Sequence, residues 1–184
     1  MAEVERISIN RAPVMTLWAT VVAERLGYDR AAALTLGRAV AGLNAASKAR
    51  TLGLTKPAGA TGRTRRLKAR APQEVELLQR VVPVSRTPSG LRAIDRDGKP
   101  SSPEAVERYL SAKFGDALAA ARSAMVALAA SHPPGTLAER AYALYEAFRP
   151  SIPAGTAGWG AKGLLDLGRI RSLAGPGQHT RPGS

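Results

Sequence analysis

No acidic residue occurs between Asp29 and Glu74, yet that window carries ten basic ones: Arg30, Arg38, Lys48, Arg50, Lys56, Arg63, Arg65, Arg66, Lys68 and Arg70. Inside it, residues 55 to 72 are Lys, Arg, Pro, Ala, Gly and Thr almost throughout, with Leu67 the one large aliphatic side chain. Such a segment has too little apolar surface to offset the entropy of ordering it, so it is expected to be a mobile loop or arm inserted into the fold. The core must then be assembled from the residues on either side. The charge is as uneven as the apolar content: residues before the window sum to −1 and those after it to +4, against a net charge of +13 for the chain. Positive charge concentrated in this way repels itself, which points to a polyanionic partner.

At 184 residues the chain is long enough for one domain with a real core. The expected organisation is a single helical domain over residues 1–174, with the basic arm at 55–72 and a disordered tail at 175–184. Aromatic residues make up only 4% of the sequence, so the core is built mainly from Ala, Leu and Val. The absence of cysteine removes disulfides, a thiol nucleophile and any Cys-based zinc site. No apolar run approaches the roughly 18 residues of a membrane helix, and Glu3 and Glu5 do not suit a signal or transit peptide. The expected location is therefore the bacterial cytoplasm. Arg outnumbers Lys by 21 to 6. A GC-rich genome produces that bias as readily as selection for phosphate contacts does, so the ratio alone carries no weight.

Helical spacing dominates the remainder. Asn10 is a candidate N-cap for a helix with Val14, Leu17, Trp18, Val21 and Val22 on one face, stopped by Gly27. Asp29 caps a second helix running to about Leu52, in which Ala33, Gly37, Ala41 and Ala45 allow close approach to the first. Gly37 and Gly42 each cost about 1 kcal/mol against Ala in a helix interior, which argues against an unbroken helix here. Residues 74 to 99 are the most β-like, with turn signals at Thr87-Pro88-Ser89-Gly90 and Asp97-Gly98 predicting one small hairpin. Pro83 leaves its register unreadable. Ser102 and Pro103 open a helix that continues through Leu128 with a break near Gly115-Asp116. Thr136 and Glu139 suggest a capping box for the next, and Asp166 caps a short last helix. The fold class expected is mainly α, with about five helices and one hairpin.

Residues 20 to 40 also fit a helix-turn-helix template, with Arg30, Thr35 and Arg38 as the only polar side chains available to read bases. An ordinary αα-hairpin with Gly27 as its C-cap fits better. The basic tract has the stronger case: Lys48, Arg50, Lys56, Arg63, Arg65, Arg66, Lys68 and Arg70 can follow a phosphate backbone and release its counterions. No aromatic residue lies between Tyr28 and Tyr109, so base stacking of single strands or RNA is disfavoured and double-stranded DNA becomes the expected partner. Asn44, Ser47, Lys48 and Thr51 form a polar edge at helical spacing, which an exposed amphipathic face explains as well as anion binding does. Gly155 and Gly160 have phosphate-loop separation, but Ala161 and Lys162 follow where a Lys and a hydroxyl residue are required, and Trp159 is expected to pack that loop onto the helices.

Catalysis has little support. His132 and His179 lie at a helix end and in the tail. Glu74 with Glu76, Asp95 with Asp97, and Glu104 with Glu107 read as solvated strand, turn and helix-start residues. Only Asp116 and Asp166 leave open a distant carboxylate pair. The expectation is a non-enzymatic protein with no cofactor and no metal, binding double-stranded DNA through its arm. The rival is a helical adaptor whose arm docks an acidic protein. Oligomeric state is not legible.

Overall fold

The computed structural model describes residues 6–51, 73–95, 97–151 and 163–174, the side chains of 46–51 excepted. Six α-helices and five short strands account for most of them, so the chain is mainly α, with small antiparallel sheets. Helix α1 (Arg11–Arg25) is the axis of the fold. Every residue from Pro13 to Ala23 is buried, so the helix lies inside the core and not on its edge as a single apolar stripe implies. That burial is possible because its two hydroxyls have internal partners: Thr16 Oγ1 donates to Ala12 O (2.9 Å) and Thr20 Oγ1 to Thr16 O (2.7 Å). Trp18 is fully buried in the centre, with its Nε1 donating to Ala141 O at 2.9 Å and its ring edge-on to Phe148 at 5.3 Å.

Gly27, at φ +111°, ends α1, and Asp29 Oδ1 accepts from Ala32 N (2.9 Å) to cap α2 (Arg30–Thr51). The two helices touch at Gly37. A Cβ there would lie 2.5 Å from Thr16 O and 2.9 Å from Thr20 N, which explains a glycine in mid-helix: only hydrogen fits between the backbones. Around Gly42 nothing lies within 4 Å, and no contact explains it.

Strands β2 (Gln73–Leu77), β3 (Arg80–Thr87) and β4 (Gly90–Ala93) form an antiparallel meander that packs on α2. The expected hairpin is β3 with β4, joined at Pro88-Ser89. β2 was not expected, because its connection to β3 is the two-residue turn Leu78-Gln79, with φ +49° and +61° and no Gly or Asn to announce it. The strain is offset by what the turn does: Leu78 is only 1% exposed and joins the core. Pro83 is accommodated in the middle strand because its carbonyl, accepting from Ile94 N (2.9 Å), faces the point where the β3–β4 ladder ends.

Ser102 caps α3 (Pro103–Phe114), accepting from Ala105 N. The expected break is a 3₁₀ turn at Gly115–Ala117, followed by α4 (Leu118–Ala130). α5 (Pro134–Phe148) begins earlier than a Thr136/Glu139 capping box requires. Its N-cap is Pro133, and Thr136 lies inside the first turn, because prolines already supply the helical φ there without needing a donor. A second sheet, also unexpected, pairs β1 (Arg6–Ile9) with β5 (Gly163–Asp166), after which α6 (Leu167–Ala174) begins. Ile7, Ile9 and Leu165 carry it into the one hydrophobic cluster shared by all the helices. The tail at 175–184 and the loop holding Gly155, Trp159 and Gly160 lie outside the described residues.

Candidate nucleic-acid interface

The basic tract grows out of α2. The first half of that helix is embedded, with Ala32 to Leu36 and Val40 to Ala41 buried, but Gly42 is exposed and Leu43, Asn44 and Ala45 are only partly covered. Burial thus falls off over Gly42 to Ala45. The last turns of α2 hold Lys48 and Arg50, whose backbone is helical. Lys56, Arg63, Arg65, Arg66, Lys68 and Arg70 lie outside the described residues.

Beside Asn44 the sheet supplies one further cation. Arg80, the residue after the Leu78-Gln79 turn, reaches α2 and donates from Nη2 to Asn44 Oδ1 at 3.0 Å. Its buried Nε has no hydrogen-bond partner among the described residues. Asn44 is thus a fixed link between helix and turn, while Ser47, Lys48 and Thr51 of the same polar edge belong to the stretch whose side chains are not described. Sequence reasoning missed Arg80. Its position depends on a turn without turn residues, so no local signal could have placed it.

Elsewhere seven arginines are engaged by the fold itself. Arg122 forms a two-point ion pair with Glu24, at 2.8 and 3.1 Å. Arg92 is buried and donates to the carbonyls of Leu91 and Ser89. Arg11, Arg25 and Arg169 donate to the carbonyls of Pro150, His132 and Ala147. The helix-turn-helix residues are occupied in the same way. Arg30 pairs with Glu107 at 2.9 Å, the Arg38 guanidinium stacks 4.2 Å over the Tyr109 ring, and Thr35 is buried, donating to Ala32 O and accepting from Ala93 N. Strand β4 covers Thr35, while Arg30 and Arg38 stay at the surface but are held by side chains of α3, and α1 and α2 form an αα-hairpin.

The remaining candidates have local explanations. Asp95 Oδ1 accepts from Asp97 N and Lys99 N and so shapes the second turn. Glu74 and Glu76 are exposed on β2. The Glu104 carboxyl is held below its usual range by a backbone hydrogen bond at the start of α3, reinforced by Ser102. Asp166 Oδ1 accepts from Arg169 N to open α6, and Asp116 lies in the 3₁₀ turn. His132 contacts Ser131, Leu128 O and Arg140. His179 lies outside the described residues. Among the described residues no three side chains of metal-binding type converge, and no helix is long and apolar enough to cross a membrane. Compared with known proteins, the chain matches no family model, no curated protein and no solved structure.

Proposed function

We propose that this chain is a single-domain, non-enzymatic, cytoplasmic protein that binds double-stranded DNA through the phosphate backbone, with the tract from Lys48 to Arg70 as its contact surface. The observation that supports this is the division of charge. The described side chains comprise sixteen basic and twelve acidic ones, many of the arginines already engaged with carboxylates, rings or carbonyls. The tract adds eight basic residues and no acidic one. Each phosphate that such a residue neutralises releases condensed counterions, so affinity derives from salt and phosphate density and not from base sequence. Arg80 at the root of the tract provides a cation on the sheet, next to the tract's helical beginning.

The test is the salt dependence of duplex binding, measured by fluorescence anisotropy with two unrelated duplexes. Five to eight neutralised phosphates give a slope of log affinity against log salt of about −4 to −7, at roughly −0.9 per phosphate. Replacing Arg63, Arg65, Arg66 and Arg70 with Ala should flatten the slope by up to about four phosphate equivalents and weaken both duplexes alike. Replacing Arg30 or Arg38 should leave it in place. Failure of micromolar protein to bind duplex DNA at about 50 mM salt would reject the proposal and transfer the tract to an acidic protein partner.

A further inference from the structure

Helices α1, α2, α3 and α4 leave between them a cavity of about 240 Å³, at the Arg30 end of α2. Its floor is Leu17, Leu34, Leu110 and Leu118, the first three of them almost fully buried. Its mouth carries Arg30, Glu107 and Arg122. Protein interiors seldom leave a void much larger than one water. This one is much larger and opens to solvent, with Thr20 and Ser111 beside the leucines of its wall.

The charges at the mouth say more about what fits. Arg30 on α2 meets Glu107 on α3 through Nε and Oε1 alone, which leaves the Nη groups of one and Oε2 of the other outside the pair. Arg122 on α4 spends both Nη groups on Glu24 of α1 and keeps Nε. Cationic donors and an anionic acceptor are therefore held side by side above an apolar floor. The two ion pairs already balance one another, so a ligand with a lone carboxylate or a lone ammonium would add an uncompensated charge to them. A molecule carrying both charges on one carbon, with an aliphatic side chain behind them, adds no net charge.

We propose that the α1–α4 cavity is a binding site for a small zwitterion of the aliphatic amino-acid class, its carboxylate toward Arg30 and Arg122, its ammonium toward Glu107, and its side chain on the leucine floor. Leucine, with about nine heavy atoms, is small enough to enter a recess of about 240 Å³. The site is separate from the phosphate-binding tract, since Arg30 and Lys48 lie about 27 Å apart along the axis of α2 at 1.5 Å per residue.

The experiment titrates the full chain with three compounds sharing one carbon skeleton: L-leucine, 4-methylpentanoate without the ammonium, and 3-methylbutylamine without the carboxylate. Methyl NMR shifts of Leu17, Leu34, Leu110 and Leu118 and calorimetry supply the readouts. L-leucine is expected to saturate with shifts confined to those methyls, and to bind at least tenfold tighter than either analogue. Ser111→Trp, at an exposed position lining the same cavity, should obstruct the mouth and weaken L-leucine at least tenfold without lowering the melting temperature. Glu107→Gln should remove the preference over 4-methylpentanoate. Unsaturable shifts with all three compounds would overturn the site, and equal affinity of L-leucine and 4-methylpentanoate would overturn the ligand class, whatever the variants do.

Discussion

Gly37 provides the sharpest test of how α1 and α2 pack. A methyl group at this position meets Thr16 O at 2.5 Å and Thr20 N at 2.9 Å, and it also overlaps Thr20 Oγ1. The first two are backbone atoms of a helix buried on every side, so they cannot rotate out of the way. Restoring ordinary contact requires the helices to part by nearly 1 Å at their crossing, and a gap of about that size forfeits a quarter to a half of the dispersion energy of each pair it separates. Overpacking of this kind typically costs about 1 to 3 kcal/mol, and backbone obstacles place it at or above the top of that range. Against this, alanine gains about 1 kcal/mol over glycine in a helix interior. Gly37→Ala should therefore destabilise the protein by about 2 to 3 kcal/mol net, lowering the melting temperature by roughly 4 to 12 °C for a chain of this length. Gly42→Ala, five residues on in the same helix with nothing within 4 Å, should instead stabilise it by up to about 1 kcal/mol. Thr20→Ala in the Gly37→Ala background removes the hydroxyl obstacle but not the Thr16 carbonyl, so it should recover only part of the loss. Urea denaturation followed by circular dichroism measures all three, with unchanged m-values confirming that stability alone has moved. A Gly37→Ala protein as stable as the parent, or more so, would refute the close crossing.

Four further outcomes follow from the core and the strained turn. Trp18→Ala should cost about 3 to 5 kcal/mol through the cavity it leaves, and Trp18→Phe about 1 to 3 kcal/mol because the indole donor to Ala141 O is lost, both read by chemical denaturation. Burial pushes the Tyr145 phenol up to about 12 from 10.0, so the folded state favours the neutral form. Its contribution is intact below about pH 10 and is lost as pH rises through 12, a loss of about 2 to 3 kcal/mol that Tyr145→Phe should remove from an alkaline denaturation series. Gln79→Gly, at an exposed position with φ +61°, should stabilise the β2–β3 turn by about 0.5 to 1 kcal/mol in the same denaturation assay.

What was legible in the sequence was what depends on neighbours a few residues away. The caps at Asp29, Ser102 and Asp166, the stop at Gly27 and the break at Gly115 are local chemistry, and each is where the spacing puts it. The strands β1 and β5 are four residues each and bond to one another across more than 150 residues, so neither has a pattern long enough to read alone. The turn Leu78-Gln79 is hidden for a different reason: its backbone strain is offset by tertiary burial of Leu78, which no local rule contains. The same limit applies to the arginines. Arg30 and Arg38 look, in a window of twenty residues, as available for DNA as Arg63 or Arg65. Yet the partner of Arg30 is Glu107, 77 residues away, and Arg38 rests on Tyr109. Net charge summed over the described body is a better guide than any single basic residue, because an ion pair within that body cancels in the sum however far apart its partners lie along the chain. The described body, with sixteen basic and twelve acidic side chains, is close to balance by that measure, and the stretch from Lys48 to Arg70 has no carboxylate of its own to balance it. Of the twelve acidic side chains among the described residues, two, Glu24 and Glu107, are already held by Arg122 and Arg30, and Asp29, Asp95 and Asp166 are spent on backbone amides. Under the proposed function the missing counter-charge comes from an external polyanion, and the salt dependence of duplex binding tests it.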